Sequence, residues 1–258
     1  MAAEVQQGFG RAASVLAAIA ASTTGPMRAS DIARATGLGP STTARLLATL
    51  DELGYVSKVG DMPGYTIGTT VLRLASEGLN QNPVHRESRA TAQELATRTG
   101  FSANVAVRDG DKLIYLCHFE GRHAPKSHTM IGMSQPLHAS ALGKCLLLDT
   151  TEDERRALLG DLPVYTANTI GAHEALTAEV ERVRRAGSAV EDQELALGRL
   201  GMAAPIRDSE GGVVAAISIS GRLTLMREHG VDLLVEDVVE AADRISVGLG
   251  LITAVAPG

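Results

Sequence analysis

Residues 30–59 read SDIARATGLGPSTTARLLATLDELGYVSKV, and this stretch decides how the N-terminal part of the chain folds. Ser30 stands as an N-cap before the periodic segment DIARAT, and Gly37 supplies a helix stop. A turn of Gly37, Leu38, Gly39 and Pro40 follows. Pro40 opens the next helix, where its missing N–H had no partner to lose, and Gly54 ends it. On that helix Thr43, Leu46, Leu47, Leu50 and Leu53 share one face. Ser41, Arg45, Ala48 and Glu52 share the other, flanked by Thr42 and Thr49. Residues 55–59 and 65–67 then alternate around a turn at 60–64, which reads as a two-stranded ribbon. Upstream, GFGRAASVLAAIAAS (8–22) sets Val15, Leu16 and Ile19 at helical spacing.

Three short helices, a tight glycine turn before the third, and a ribbon after it describe a winged helix-turn-helix. Small polar residues and arginine on the outer face of the third helix can reach base edges, while phosphates take basic side chains and hydroxyls. Ser41, Thr42, Thr43 and Arg45 fit the first role, and Lys58 in the ribbon fits a backbone contact. The same residues also fit a plain three-helix subdomain with a solvated helix start. The ribbon directly after the third helix favours DNA.

Composition bounds the rest. The 258 residues are 45% hydrophobic and 21% charged, as in a globular protein of one large or two ordinary domains. No apolar run reaches the length of a membrane span, and MAAEVQQGFGR lacks a signal-peptide pattern; no membrane partner and a cytoplasmic location are expected. With 3% aromatics and no Trp, single-strand recognition by base stacking is disfavoured. Two cysteines, Cys117 and Cys145, are too few for a disulfide framework or a thiolate metal site. The net charge is −6, yet residues 1–80 carry six basic and six acidic side chains, so the acidity lies entirely in residues 81–258. A neutral first part can bind DNA if its bases share one face.

Residues 68–79 form a further helix with Val71, Leu72, Ala75 and Leu79 on one side, and 80–83 (Asn-Gln-Asn-Pro) break it as a linker. Beyond it, helices are expected at 84–99, 140–148, 151–159, 173–186 and 231–252. Thr151 and Glu154 form a capping box in the third of these. Strands are expected at 101–108 and 112–119 around Asp109-Gly110, and at 201–207 and 213–220. Hairpins with long helices make an antiparallel sheet covered by helices, an α+β domain.

Six blocks, in order, resemble the IclR family of bacterial transcription regulators: GRAASVLAAIAAS (10–22), SDIARATGLGPSTTARLLATLDELGYV (30–56), GYTIGTTVLRLA (64–75), PLHASALGKCLL (136–147), EVERVRRAGSAVEDQELALG (179–198) and MAAPIRDSEGGVVAAISISG (202–221). The resemblance spans nearly the whole chain. It implies a winged helix-turn-helix at 1–67, a linker helix and linker at 68–83, and a GAF-like α+β effector-binding domain at 84–258. It further implies a DNA-binding regulator of a double-stranded operator, controlled by a small organic acid and working as a dimer or dimer of dimers. Carried over by position, the pocket residues are Met130, Ala141, Leu142, Glu191, Gly201, Ser218 and Ser220.

The residues themselves add to that. Ser140, Ala141 and Leu142 lie at a helix start, where free N–H groups favour an anion. Ala216, Ser218 and Ser220 alternate on one strand face, where two hydroxyls either orient a ligand or satisfy neighbouring backbone. Gly143-Lys144 is not a phosphate loop, because His138 stands where a Gly is needed and Cys145 replaces Ser or Thr. Glu191, Asp192, Gln193 and Glu194 suggest general acid/base work or a cation site, but an exposed acidic loop is the commoner reading. Seven scattered histidines give no ligand spacing, no catalytic motif is present, and neither an enzyme nor a cofactor is expected. An enzyme with an appended DNA-binding domain and a protein-interaction module are the alternatives. The chain departs from the family pattern twice. Gly201 replaces a frequent Cys, which opens room for an aromatic acid, though glyoxylate-sized acids remain open; Pro40 replaces a frequent basic residue, which removes a DNA-backbone contact.

Overall fold

The structure is a computed structural model, described at residues 2–60, 64–124 and 130–252. It divides into two compact units, residues 1–80 and 81–258. The first holds α1 (Ala2–Ala20), α2 (Ala29–Thr36), α3 (Pro40–Glu52), the strands β1 (Val56–Lys58) and β2 (Tyr65–Ile67), and α4 (Thr69–Gln81), which runs to the unit's edge. Val15, Ile19, Ile32, Leu47, Leu50 and Val56 form its core. Gly37 adopts the left-handed conformation (φ 68°) that ends α2, and Pro40 occupies the first turn of α3. β1 and β2 pair antiparallel, Val56 opposite Ile67, as the ribbon of the winged helix. The expected turn at 60–64 lies partly outside the described residues.

Two local readings change. Ser30 is inside α2, and Arg28 takes the N-cap position without a side-chain cap. The cause is tertiary: Met27 pairs with Tyr65 through N–H···O bonds of 3.0 and 2.9 Å, which fixes where the chain enters the helix. Leu53 caps α3 and faces solvent, so the apolar stripe stops at Leu50.

The second unit opens with α5 (Pro83–Thr99), β3 (Ser102–Asp109), β4 (Lys112–Phe119) and β5 (Ser134–Pro136). Then come α6 (Ala141–Leu146), α7 (Glu152–Leu159), α8 (His173–Ala186), β6 (Ala189–Asp192), β7 (Arg199–Arg207), β8 (Val213–Arg222), α9 (Leu223–His229) and α10 (Val231–Gly248). The strands make one antiparallel sheet in the order β5-β4-β3-β8-β7-β6. α5 and α10 pack together against one face, with α6 on the opposite one and α8 behind α6. Ala106, Leu113, Leu142, Leu147, Leu176, Val180 and Ala216 are among the residues of the core under α6. This is the α+β architecture expected.

The break expected at 80–83 shrinks to one residue. Asn82 alone separates α4 from α5, its side chain accepting the His85 N–H at 3.1 Å, with Pro83 in the first turn. β5 and β6 were unforeseen because three residues ending in Pro, and four with two acids, carry no strand signal of their own. α9 is an added seven-residue helix, and α10 stops at Gly248, four residues before the expected end.

Candidate functional site

α3 presents the first candidate surface. Ser41 and Arg45 are exposed and Thr42 partly so. The Arg45 side chain makes no ion pair among the described residues. Thr43 does not belong with them. It is 1% exposed, and its hydroxyl donates to Gly39 O at 3.1 Å, one turn back. The residue lies on the core stripe, where the helical period places it, so its reading as a DNA contact is withdrawn. Lys58 leaves β1 exposed, 3.3 Å from Asp51 at the end of α3, an ion pair too open to immobilise it.

The second candidate surface is the sheet face under α6. Antiparallel register sets Gly201, Ser220 and Ser102 in one row across β7, β8 and β3, and Ala203, Ser218, Asn104 and His118 in the next row inward. Directly opposed residues share a face, so Ser218 and Ser220 point as the alternation required. Glu191 of β6 stands opposite Gly201. A Cβ on Gly201 would lie 3.4 Å from Glu191 Oε2 and 3.7 Å from Ser220 Cβ. A cavity of about 690 Å³ opens over this face, lined among others by Asn104, Tyr115, His118, Met130, Arg199 and Ser220.

The predicted residues therefore divide. Met130 and Ser220 line the cavity, and Glu191, Gly201 and Ser218 share its sheet face as buried neighbours. Ser140, Ala141 and Leu142 are not on its lining. The Ser140 hydroxyl is committed to capping α6: it accepts the Gly143 N–H at 3.1 Å and donates to Pro136 O at 2.9 Å. Ala141 and Leu142 pack into the core. The whole helix start is pressed onto the preceding segment, since a Cβ on Gly143 would meet Leu137 O at 2.1 Å.

The segment 191–194 is no exposed acidic loop. Glu191 is 3% exposed, and its Oε1 accepts the N–H groups of Glu194 and Leu195 at 2.8 and 3.2 Å. Burial raises its pKa, against the pull of those bonds and of Arg199. Glu194 is buried too, because Lys144 of α6 brings a cation to it from across the domain. Four further residues went unread. Asn104 Oδ1 and His118 Nδ1 are 2.7 Å apart on adjacent strands. Arg199 reaches over the face to Tyr115, whose pKa is raised by burial and drawn back by that guanidinium. Asn104 was detectable as the one amide in the apolar run of β3; Arg199 was not, since only the register discloses its neighbours.

The family profile described as the bacterial transcriptional regulator IclR C-terminal domain matches residues 77–247, and that of the IclR helix-turn-helix domain matches residues 10–60. The transcriptional repressor AllR of Salmonella typhi is 31% identical over 88% of this chain and 84% of its own length. The repressor IclR of Escherichia coli K12 is 29% identical over 89% of this chain and 85% of that protein. The crystal structure of an IclR homolog of Microbacterium hydrocarbonoxydans complexed with 4-hydroxybenzoate superposes with a TM-score of 0.83 at 25% identity, covering 94% of this chain and 98% of that one.

Proposed function

The chain belongs to the IclR family of bacterial transcriptional regulators, and on that premise we propose that a small organic acid, aromatic by preference, controls its affinity for a double-stranded operator. The observation that carries the reading is the cavity of about 690 Å³ lined by Ser220, Asn104, Met130 and Arg199, with Gly201 and Ser218 buried beside Ser220 on the same sheet face. A polar floor with an apolar side at Met130 suits a ring bearing an acid group. The Microbacterium relative, with 4-hydroxybenzoate bound, supports that class.

Arg45 and Ser41 are the base-reading candidates, Thr42 stands at their edge, and Lys58 is a phosphate contact. One short recognition helix is too little for repressor-grade affinity, so the protein acts as at least a dimer on a near-palindromic site. α4 buries none of its residues within its own unit and exposes Leu72 (66%) and Leu74 (55%), which supports pairing through that helix. An effector shifts DNA affinity only by favouring one arrangement of the assembly over another. The protein is read as a binding protein working in the cytoplasm, without catalysis or cofactor.

Fluorescence anisotropy with the protein's own upstream DNA, with and without candidate acids, tests this. Salt-dependent binding that an acid shifts supports it. Turnover of the acid with no DNA binding would replace it by the enzyme reading.

A further inference from the structure

β3 carries one amide within an apolar run, Asn104 between Ala103 and Val105. The residue is 3% exposed, and it lines the cavity. Its Oδ1 lies 2.7 Å from His118 Nδ1 on the neighbouring strand. An amide oxygen only accepts, so the ring donates. The amide's own donor, Nδ2, makes no hydrogen bond among the described residues. On its other side Asn104 faces Ser218 of β8, whose hydroxyl likewise makes none there. A buried amide whose donor goes unmet is costly unless something outside the chain meets it.

The backbone around the amide is shaped for that wall. Between Val105 and Ala106 the β3–β4 register slips, so that Val105 opposes Cys117 and Ala106 opposes Tyr115, with Leu116 passed over. Three positions apart on a regular strand, His118 and Tyr115 would face opposite sides. The bulge turns both onto the cavity, as such irregularities do beside binding sites. His118 thus holds the amide from one side, and buried Tyr115 closes the face beyond it. Ser220 opposes Ser102, two residues before Asn104, which makes Asn104 its diagonal neighbour. Such neighbours stand about 7–8 Å apart, room for a ring with polar groups at opposite ends. Glu120 is on the same wall, 4.0 Å from His118 Nε2, and disfavours a second carboxylate beside the amide.

We propose that Asn104 is a specificity-determining residue of the effector cavity: its Nδ2 donates to a neutral oxygen, hydroxyl or carbonyl, carried by the acid at the end opposite its carboxylate. His118 is the positioning residue that fixes the amide. The carboxylate itself keeps toward β8 and β7, the strands that α6 covers most closely. This rests on the effector reading above and names which aromatic acids the cavity takes.

Calorimetric titration of the full-length protein with 4-hydroxybenzoate, 4-formylbenzoate and 4-methylbenzoate tests it, because the three differ only in the group across the ring. In the wild type both oxygen-bearing acids bind about threefold to tenfold more tightly than the methyl acid. Asn104→Leu removes the donor and abolishes both preferences, while the methyl acid still binds. Asn104→Asp keeps an acceptor for His118 Nδ1 but offers the cavity acceptors alone. It loses the preference for the formyl acid, whose oxygen cannot donate, and keeps one for the hydroxy acid, whose O–H can. His118→Phe narrows both preferences and leaves the methyl acid's affinity in place. Loss of all three affinities together in both Asn104 variants would mean a structural role and overturn the proposal. Preferences that survive Asn104→Leu, or acids that bind the wild type without preference, overturn it and leave the effector cavity standing. If none of the three acids binds and operator affinity responds to none, both fall.

Discussion

Lys144 Nζ stands 2.5 Å from Glu194 Oε1, and the lysine is 1% exposed. The same ammonium lies 3.2 Å from Glu179 Oε1 and donates to Val190 O at 3.1 Å. One buried cation thereby ties α6 to α8 and to the segment that carries Glu191. Removing one partner of such a group leaves the others as uncompensated buried charge.

Lys144→Met should cost roughly 3–5 kcal/mol of stability, read by chemical denaturation. Its pH dependence has a definite sign. Burial holds the Glu194 pKa above its ordinary value, and Lys144 pulls it down. Without Lys144 the folded state favours the protonated acid further, while the unfolded chain releases that proton near its ordinary pKa. The unfolded state then binds fewer protons, so stability falls as pH rises from the ordinary carboxylate range through the raised folded pKa. The variant's deficit should shrink on acidification; a deficit independent of pH would separate Glu194 from the effect.

Arg45→Ala should cost about 1–3 kcal/mol of operator binding and relax preference at one base pair. Lys58→Ala should weaken all sequences alike and reduce the salt slope by about one. Thr43→Ala should lower stability through its core position and leave base preference alone. Operator selection measured on randomised half-sites separates the three. Unchanged selection in Arg45→Ala would remove α3 as the reading helix.

Gly201→Ala should be tolerated, because the new Cβ meets its neighbours at 3.4 and 3.7 Å, ordinary contact distances. Gly201→Leu should crowd the buried sheet face beside Ser220, abolish acid binding, and cost about 1–3 kcal/mol of stability. Ser218→Ala combined with Ser220→Ala should weaken binding by about 1–3 kcal/mol if both hydroxyls hold the ligand. Calorimetry and thermal unfolding on the same preparations check both statements.

Gly143→Ala should disrupt α6 outright, since its Cβ would fall 2.1 Å from Leu137 O, a backbone atom with nowhere to go. Loss of soluble protein or a large drop in melting temperature is expected. A normal melting temperature would mean that α6 can lift from the preceding segment.

What the sequence discloses here follows the range of the interactions. The winged helix is legible because its helix stops, its proline start and its ribbon are local signals, each within a few residues. Ser218, Ser220 and Gly201 are legible because strand alternation is local too. Thr43 shows the limit within one helix: its residue type suits a DNA contact, and its position on the apolar stripe overrules that. Glu191 and Glu194 look solvated because the cation that buries one of them lies 50 residues earlier. Arg199 is invisible for the same reason, since Arg222, Glu191 and Tyr115 meet it only through sheet register.

On the proposed function, acid binding in the second unit and DNA binding by the first are thermodynamically coupled. Operator affinity measured by anisotropy at zero and at saturating acid, in wild type and in Gly201→Leu, tests it most directly. A coupling of about 1–3 kcal/mol predicts a change of roughly 5- to 150-fold in the wild type and none in the variant. An operator affinity that is the same with and without an acid that calorimetry shows to be bound would contradict it.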